Sequence, residues 1–245
     1  MHFVPFRSYS VSVFEKRSTR QERIDTGDYT AGEYATFLRE IRFINRYLGD
    51  SRALRRSLFN EIGEKGLQEF SVLDVACGSG ELLREIARFA RKGHRSARLT
   101  GVDLNALSFA TAAEERPAFP EVTYLRGDAF RLPFADRTFD YAISSLFFHH
   151  LTDEQIPIVF EEMSRVTRHG VFVIDLHRHR AAYALYKLFC FAFRISPLVT
   201  QDGSLSILRG FRPGELDRIS SRGDLRTQRV APFRLVITSE TCDEP

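Results

Sequence analysis

Between Phe70 and Leu176, short apolar runs alternate with segments of helical period, and few folds accept that pattern. "FSVLDVA" gives way to the helical "ELLREIARFARK", stopped by Gly93; "ARLTGVDL" is followed by "NALSFATAAEE", closed by Pro117 and Pro120. Next come two strand-like runs, "VTYLRGD" and "TFDYAISSLFF", then "DEQIPIVFEEMSRVT" and a fifth strand, "GVFVIDL". In that last helix Ile156, Val159, Phe160, Met163 and Val166 share one face, and the early Pro157 is expected to shift its start or kink it. Strands apolar along their whole length and separated by helices are covered on both faces, which predicts a parallel α/β sheet. "DLRTQRV" and "FRLVITSE", joined by the short "APF", predict a hairpin that ends the sheet antiparallel.

Ahead of the first strand, Tyr34, Phe37, Leu38, Ile41, Ile44 and Leu48 recur at three-and-four spacing, with Gly49 as the stop. A second helix is expected over residues 52–62. Residues 1–30 carry no sustained period and are expected to form a mobile arm. The predicted organisation is N-terminal helices over 31–66 and one α/β domain over 67–245, with a helical insertion at about 178–222. The fold class expected is a Rossmann-like, doubly wound, mostly parallel seven-stranded sheet with an antiparallel last strand.

Composition narrows the partners. At 43% hydrophobic, 245 residues build one sizeable core. A net charge of +3 gives no reason to expect nucleic acid, whose binders concentrate basic charge on one face. Cys77, Cys190 and Cys242 show neither CxxC nor Cys/His spacing, so no disulfide framework or metal site is indicated and a cytoplasmic location fits. The N-terminus lacks the basic start and apolar core of a secretory signal. The most apolar segment, "AAYALYKLFCFAF", is interrupted by Lys187 and falls short of the roughly 20 residues that span a bilayer. Peripheral membrane contact stays open, as does monomer against homodimer.

The corner "VLDVACGSGE" is the first chemical signal. Beyond the carboxyl end of a parallel strand, Gly78 and Gly80 let the backbone approach a ligand, and the following helix presents unpaired N–H groups. One strand–helix unit later, "GVDLN" places Asp103 where a carboxylate accepts bonds from a ribose diol. In "GDAFRLPFADRTFD", Asp128 ends the third strand where an acid can accept from an adenine amino group, with Ala129 and Phe130 beside the ring.

These motifs, in this order, resemble the class I S-adenosylmethionine-dependent methyltransferases, and within them the small-molecule branch of menaquinone/ubiquinone-biosynthesis-like and polyketide-modifying enzymes. The resemblance covers about residues 70–175 by motif. It implies S-adenosylmethionine as cofactor. Asp74 and the loop of Ala76, Cys77, Gly78, Ser79 and Gly80 would hold its methionine part; Asp103, Leu104 and Asn105 would lie at the ribose; Asp128, Ala129 and Phe130 at the adenine; and Ser144 would face the methionine end. Two positions depart from the family pattern: Ala76 stands where the first glycine is usual, and His169 where a proline is common.

Methyl transfer from a sulfonium needs alignment and exclusion of water, and a phenol or enol acceptor also needs a base. His149 and His150, past the fourth strand in "SSLFFHHL", titrate near neutrality and are the candidate bases, not separable by sequence; Thr152 and Gln155 give the same turn a capping role. Phe147 and Phe148 are candidates for substrate contact or core. Asp175, ending the fifth strand, is expected at the substrate rim, and the following His177, Arg178, His179 and Arg180 as solvated surface or as a polar-group site. With the helical insertion as a lid, an aromatic-rich pocket for a hydrophobic acceptor results.

The expected function is methyl transfer to oxygen or an activated ring carbon of a phenol, quinone or polyketide. Competing classes are a nucleic-acid or protein methyltransferase and a non-catalytic S-adenosylmethionine-binding protein. "SSLFF" lacks the Asn/Asp-Pro-Pro-aromatic loop of adenine methylation and holds no cysteine for attack on a pyrimidine.

Overall fold

The computed structural model describes residues 11–47, 49–105, 116–220 and 225–240. Seven strands, β1 (Glu69–Val75), β2 (Ser96–Asp103), β3 (Val122–Arg126), β4 (Phe139–Ser145), β5 (Thr167–Leu176), β6 (Arg226–Val230) and β7 (Arg234–Glu240), form one sheet in the order β3-β2-β1-β4-β5-β7-β6. β1 to β5 pair in parallel; β7 runs antiparallel to both β5 and β6. The order reverses between β1 and its neighbours β2 and β4, which opens a crevice at the carboxyl ends there.

Period-two alternation divides β1 between two cores. Phe70 and Val72 pack on one side, with α3 (Asp50–Leu54), α4 (Asn60–Glu64) and α5 (Glu81–Lys92); Leu73 and Val75 pack on the other, with α6 (Gln155–Arg165). Pro157 lies in the first turn of α6, where its missing N–H removes no helical bond, and Thr152 and Gln155 close a capping box before it. The helix expected over 52–62 is interrupted by a π-turn at Arg55–Phe59.

A third apolar cluster caps the carboxyl end of the sheet. It joins α2 (Ala31–Tyr47) to α7 (Arg180–Ala192) and α8 (Pro197–Arg209) through Ile44, Ala182, Tyr186, Cys190, Val199 and Ile207. The short helix α1 (Arg23–Thr26) joins the cap against α8, while α9 (Glu215–Ser220) packs on α6 through Leu216. Leu48, residues 1–10 of the expected arm, the expected helix from residue 106 to 115, and the last two residues of the expected insertion lie outside the described residues.

Residues 11–30, expected as a mobile arm, instead form a strap pinned across this cap. Arg178, expected as solvated surface or as a polar-group site, is fully buried: it donates from Nε to the Phe14 carbonyl at 3.0 Å, from Nη1 to the Gly210 carbonyl, and from Nη2 to Glu215 at 2.6 Å. Asp202 accepts from the backbone N–H of Arg23 and Ile24, at 3.0 Å each, and so caps α1. Arg17 donates to the Arg209 and Leu151 carbonyls and lies over the Phe211 ring. Polar contacts of this kind have no apolar period, which is why the strap reads as irregular sequence.

Removing the Arg178 guanidinium leaves the Phe14 and Gly210 carbonyls without that donor, and leaves Glu215, which keeps the Arg212 N–H, without its cation. Arg178→Ala is expected to cost about 3–5 kcal/mol, with a melting temperature roughly 10 °C lower by calorimetry. Arg178→Lys recovers little, because an ammonium cannot reproduce the three-way fork.

Candidate active site

β1 ends at Val75 and the chain reaches α5 through Ala76, Gly78 and Gly80, all in the left-handed region with φ of 59°, 53° and 75°. That conformation is why glycine suits position 76; alanine there carries a strain of roughly 1 kcal/mol. Gly80 caps α5, and a Cβ on it would run into the Tyr124 ring. A Cβ on Gly78 would meet nothing within 4 Å, so the loop backbone is bare towards the crevice.

The crevice holds a cavity of about 1170 Å³. Asp74, Ala76, Cys77, Gly78, Ser79, Asp103, Leu104, Asn105, Asp128, Ala129 and Phe130 all line it. Asp74 is buried and its carboxylate accepts no hydrogen bond among the described residues; burial, with nearby Asp103, pushes it well above the usual carboxylate range. A carboxylate so placed is suited to an ammonium. Asp103 accepts from the backbone N–H of Gly78 and of Asn105, at 2.8 Å each, and every oxygen keeps a lone pair for a diol. Asp128 accepts from the Phe130 N–H at 2.9 Å. Along this wall an ammonium, a ribose diol and an adenine amino group would each find a fitting acceptor. Asn105 also donates to the Tyr34 hydroxyl at 3.1 Å, bringing α2 to the Asp103 corner of the cavity, a contact with no sequence signal.

Two expected cofactor residues sit elsewhere. Gly80 does not line the cavity. Ser144 is buried and donates to the Val75 carbonyl at 2.8 Å, because β4 points it into the sheet; Ser145 and Leu146 form the wall instead.

Past β4, the turn Phe148–His150 separates residues that sequence leaves equivalent. Phe147 lines the cavity, whereas Phe148 is fully buried against Phe160 and can touch no substrate. His149 is buried, with Nδ1 2.7 Å from one Asp175 oxygen and its backbone N–H on the other. Asp175, expected at the substrate rim, therefore lies beneath the site as the anchor of His149. Burial alone would raise its carboxyl; the His149 charge and hydrogen bonds, with the Leu176 N–H, hold it below the usual range.

His150 is partly buried and holds Asp25 through Nδ1, 3.0 Å from Oδ2. Burial would lower its imidazole, but the Asp25 hydrogen bond and the charges of Glu22 and Asp25 outweigh that and the opposing Arg209, leaving it above the ordinary histidine value. Arg209 fixes the turn by donating to the His149 carbonyl at 2.9 Å, the His150 carbonyl at 2.8 Å and Asp25 at 3.1 Å.

Glu22 and Asp25 come from the strap, and no sequence signal marked them. Ligand atoms of Glu22, His149 and His150 lie within 4.8 Å of one another, close enough to share a divalent cation. The Arg209 guanidinium, 4.0 Å from the buried Glu22 Oε1, already brings positive charge to that oxygen.

A second cavity of about 530 Å³ adjoins the first, lined chiefly by apolar side chains of α2, α7 and α8. Ile24, Phe37, Ile41, Asn45, Leu146 and His150 line both. His150 with Asp25 thus stands where the two spaces meet, while His149 faces only the smaller one.

Residues 72–170, from β1 into β5, match a family model described as a methyltransferase domain. Over 99 residues the chain is 35% identical to a 2-phytyl-1,4-naphtoquinone methyltransferase of Thermosynechococcus vestitus, covering 40% of this chain and 42% of that one. It is 25% identical over 134 residues to a demethylmenaquinone methyltransferase of Staphylococcus aureus, covering 54% and 52%. The chain thus spans about half the length of these curated relatives. Among solved structures, the fold is similar to magnesium protoporphyrin IX methyltransferase from Synechocystis with bound S-adenosylhomocysteine, with a TM-score of 0.62 at 14% identity over 89% of this chain and 99% of that one. A SAM-dependent methyltransferase from Aquifex aeolicus gives 0.54 at 18% identity, covering 79% and 90%. Residues 72–170 thus match a methyltransferase domain, and the strand order is similar to that of S-adenosylmethionine-dependent methyltransferases of known structure.

Proposed function

We propose that this protein transfers a methyl group to oxygen or an activated ring carbon of a hydrophobic small molecule of phenol, quinone or polyketide type. The observation that carries the reading is the position of His150, which lines the polar cofactor cavity and the apolar cavity alike and is held by Asp25. The volume of the apolar cavity suits a small-molecule ligand, and its aromatic and aliphatic wall suits a flat ring with an apolar substituent. The quinone methyltransferases among the relatives support a lipophilic ring acceptor.

S-adenosylmethionine, when bound, would supply an electrophilic methyl on a sulfonium whose charge is lost as a neutral thioether leaves, so the protein's part is alignment, deprotonation and exclusion of water. Asp74, Asp103 and Asp128 hold the donor. Phe37, Ile41 and Leu146, at the junction of the cavities, keep water from the reacting pair. Hydrogen-bonded to Asp25 through Nδ1, His150 presents Nε2 as the base for an acidic ring hydroxyl. His149, clamped between Asp175 and Glu22, positions the turn. We place the reaction in a reducing cytoplasm, where Cys77 and Cys190 stand as free thiols. Among the described residues no helix is long and apolar enough to cross a membrane.

Calorimetric titration tests the reading first. Micromolar binding of S-adenosylmethionine and S-adenosylhomocysteine with none of NADH is expected, followed by methylation of alkyl-substituted phenols or reduced quinones in preference to small polar phenols. Binding without turnover on any such acceptor would leave a non-catalytic S-adenosylmethionine-binding protein as the better description.

A further inference from the structure

Seven large apolar side chains stand strongly exposed among the described residues. Four of them, Leu185 (54%), Leu188 (61%), Phe191 (83%) and Phe193 (55%), fall on α7 and the residue following its end. At about 3.6 residues per turn, Leu185, Leu188 and Phe191 form one stripe, facing away from Ala182, Tyr186 and Cys190, which pack on α2 and α8. Single exposed apolar residues are ordinary; a contiguous patch marks a docking surface.

The borders of the stripe identify what it meets. Arg180, Lys187 and Arg194 recur every seven residues along one side, and none pairs with a carboxylate among the described residues. The chain carries no Asp or Glu between Asp175 and Asp202. An apolar stripe flanked by cations and free of acids fits the headgroup–acyl boundary of an anionic bilayer. A second copy fits it poorly, since isologous pairing about the helix centre would set Lys187 against its own counterpart.

We infer that this face of α7 docks on the surface of an anionic lipid membrane and opens the apolar cavity towards the acyl chains. The inference rests on reading that cavity as the acceptor site. Leu185 and Leu188 belong both to the exposed stripe and to the cavity wall, so the apolar surface is continuous from one to the other. A lipophilic acceptor enters along it without crossing water. At 13 residues, or about 20 Å, the helix lies in the interface plane and does not span.

The test is flotation of the full chain with vesicles of phosphatidylcholine alone or mixed with phosphatidylglycerol, without cofactor or acceptor. The wild type is expected to float with the mixed vesicles, less with phosphatidylcholine, and less again in high salt. Phe191→Asp, and separately the double change Lys187→Glu with Arg194→Glu, are each expected to lower the bound-to-free ratio at least about tenfold. Phe191 lies outside both cavities, so Phe191→Asp should leave S-adenosylhomocysteine affinity and melting temperature unchanged.

A wild type that stays with bare solvent, or flotation that Phe191→Asp does not reduce, overturns the inference. So does a dimer in sedimentation that Phe191→Asp splits while the vesicles remain bare, since the face is then a self-interface. With neither reactant present, failure to float counts against docking alone, and failure to methylate any acceptor counts against the proposed reaction alone.

Discussion

His150→Ala is expected to lower kcat roughly 10²–10³-fold while S-adenosylhomocysteine affinity stays within about twofold, because general-base catalysis contributes on that scale. The reasoning is geometric. His150 borders both cavities, and its Asp25 partner, 3.0 Å away, fixes the ring so that Nε2 is the nitrogen left for substrate. Deprotonated imidazole is the active form, and its pKa is raised, so turnover should climb with pH through a value above that of ordinary histidine. Asp25→Asn keeps an acceptor oxygen but removes the charge that stabilises the imidazolium and strengthens its hydrogen bond, so the pKa falls. The rising limb of the pH–rate profile should then move to lower pH, with a reduced plateau from the looser ring. A purely structural Asp25 would lower the plateau and leave the limb in place. His149→Ala acts differently: it leaves the fully buried Asp175 carboxylate without its partner and should cost folding stability. Near-wild-type turnover in His150→Ala would remove the base from the proposal.

Asp103→Ala is expected to weaken S-adenosylmethionine binding at least about tenfold, by isothermal titration. Its carboxylate does two jobs, accepting from the Gly78 and Asn105 N–H groups and offering its remaining lone pairs to the ribose hydroxyls. Losing the acceptor leaves ligand hydroxyls unpaired in a partly desolvated site and lets the loop relax, and each lost charged hydrogen bond is worth roughly 1.5–3 kcal/mol. Asp103→Asn should not rescue, because its amide NH2 would face a backbone N–H where the carboxylate accepts. Unchanged affinity would mean that Asp103 staples the loop and leaves the ribose to other groups.

Much of this was legible in the chain because it depends on neighbours close in sequence. Apolar runs of strand length, helices with one greasy face, the capping box of Thr152 and Gln155, and glycines at left-handed corners each need only a few consecutive residues. The order of three acids at the ends of three strands carried the proposed cofactor wall for the same reason: a parallel strand presents its carboxyl end to one rim, so Asp74, Asp103 and Asp128 meet there.

What only tertiary structure decided are the partners that come from far along the chain. Glu22 and Asp25 reach the histidines across more than a hundred residues, from a strap with no hydrophobic period of its own, held by Arg178, Asp202 and Arg209. Ser144 or Ser145, Phe147 or Phe148, and His149 or His150 are adjacent pairs of like chemistry, and the pleat of β4 and the turn after it assigned Ser145, Phe147 and His150 to the larger cavity, Ser144 and Phe148 to the interior, and His149 to the smaller cavity. Asp175 passed from expected substrate contact to buried anchor by the same local geometry. Composition and period determine which elements form, because burying apolar surface rewards any chain with the right spacing; which polar group meets which depends on directions and distances that exist only once those elements have packed.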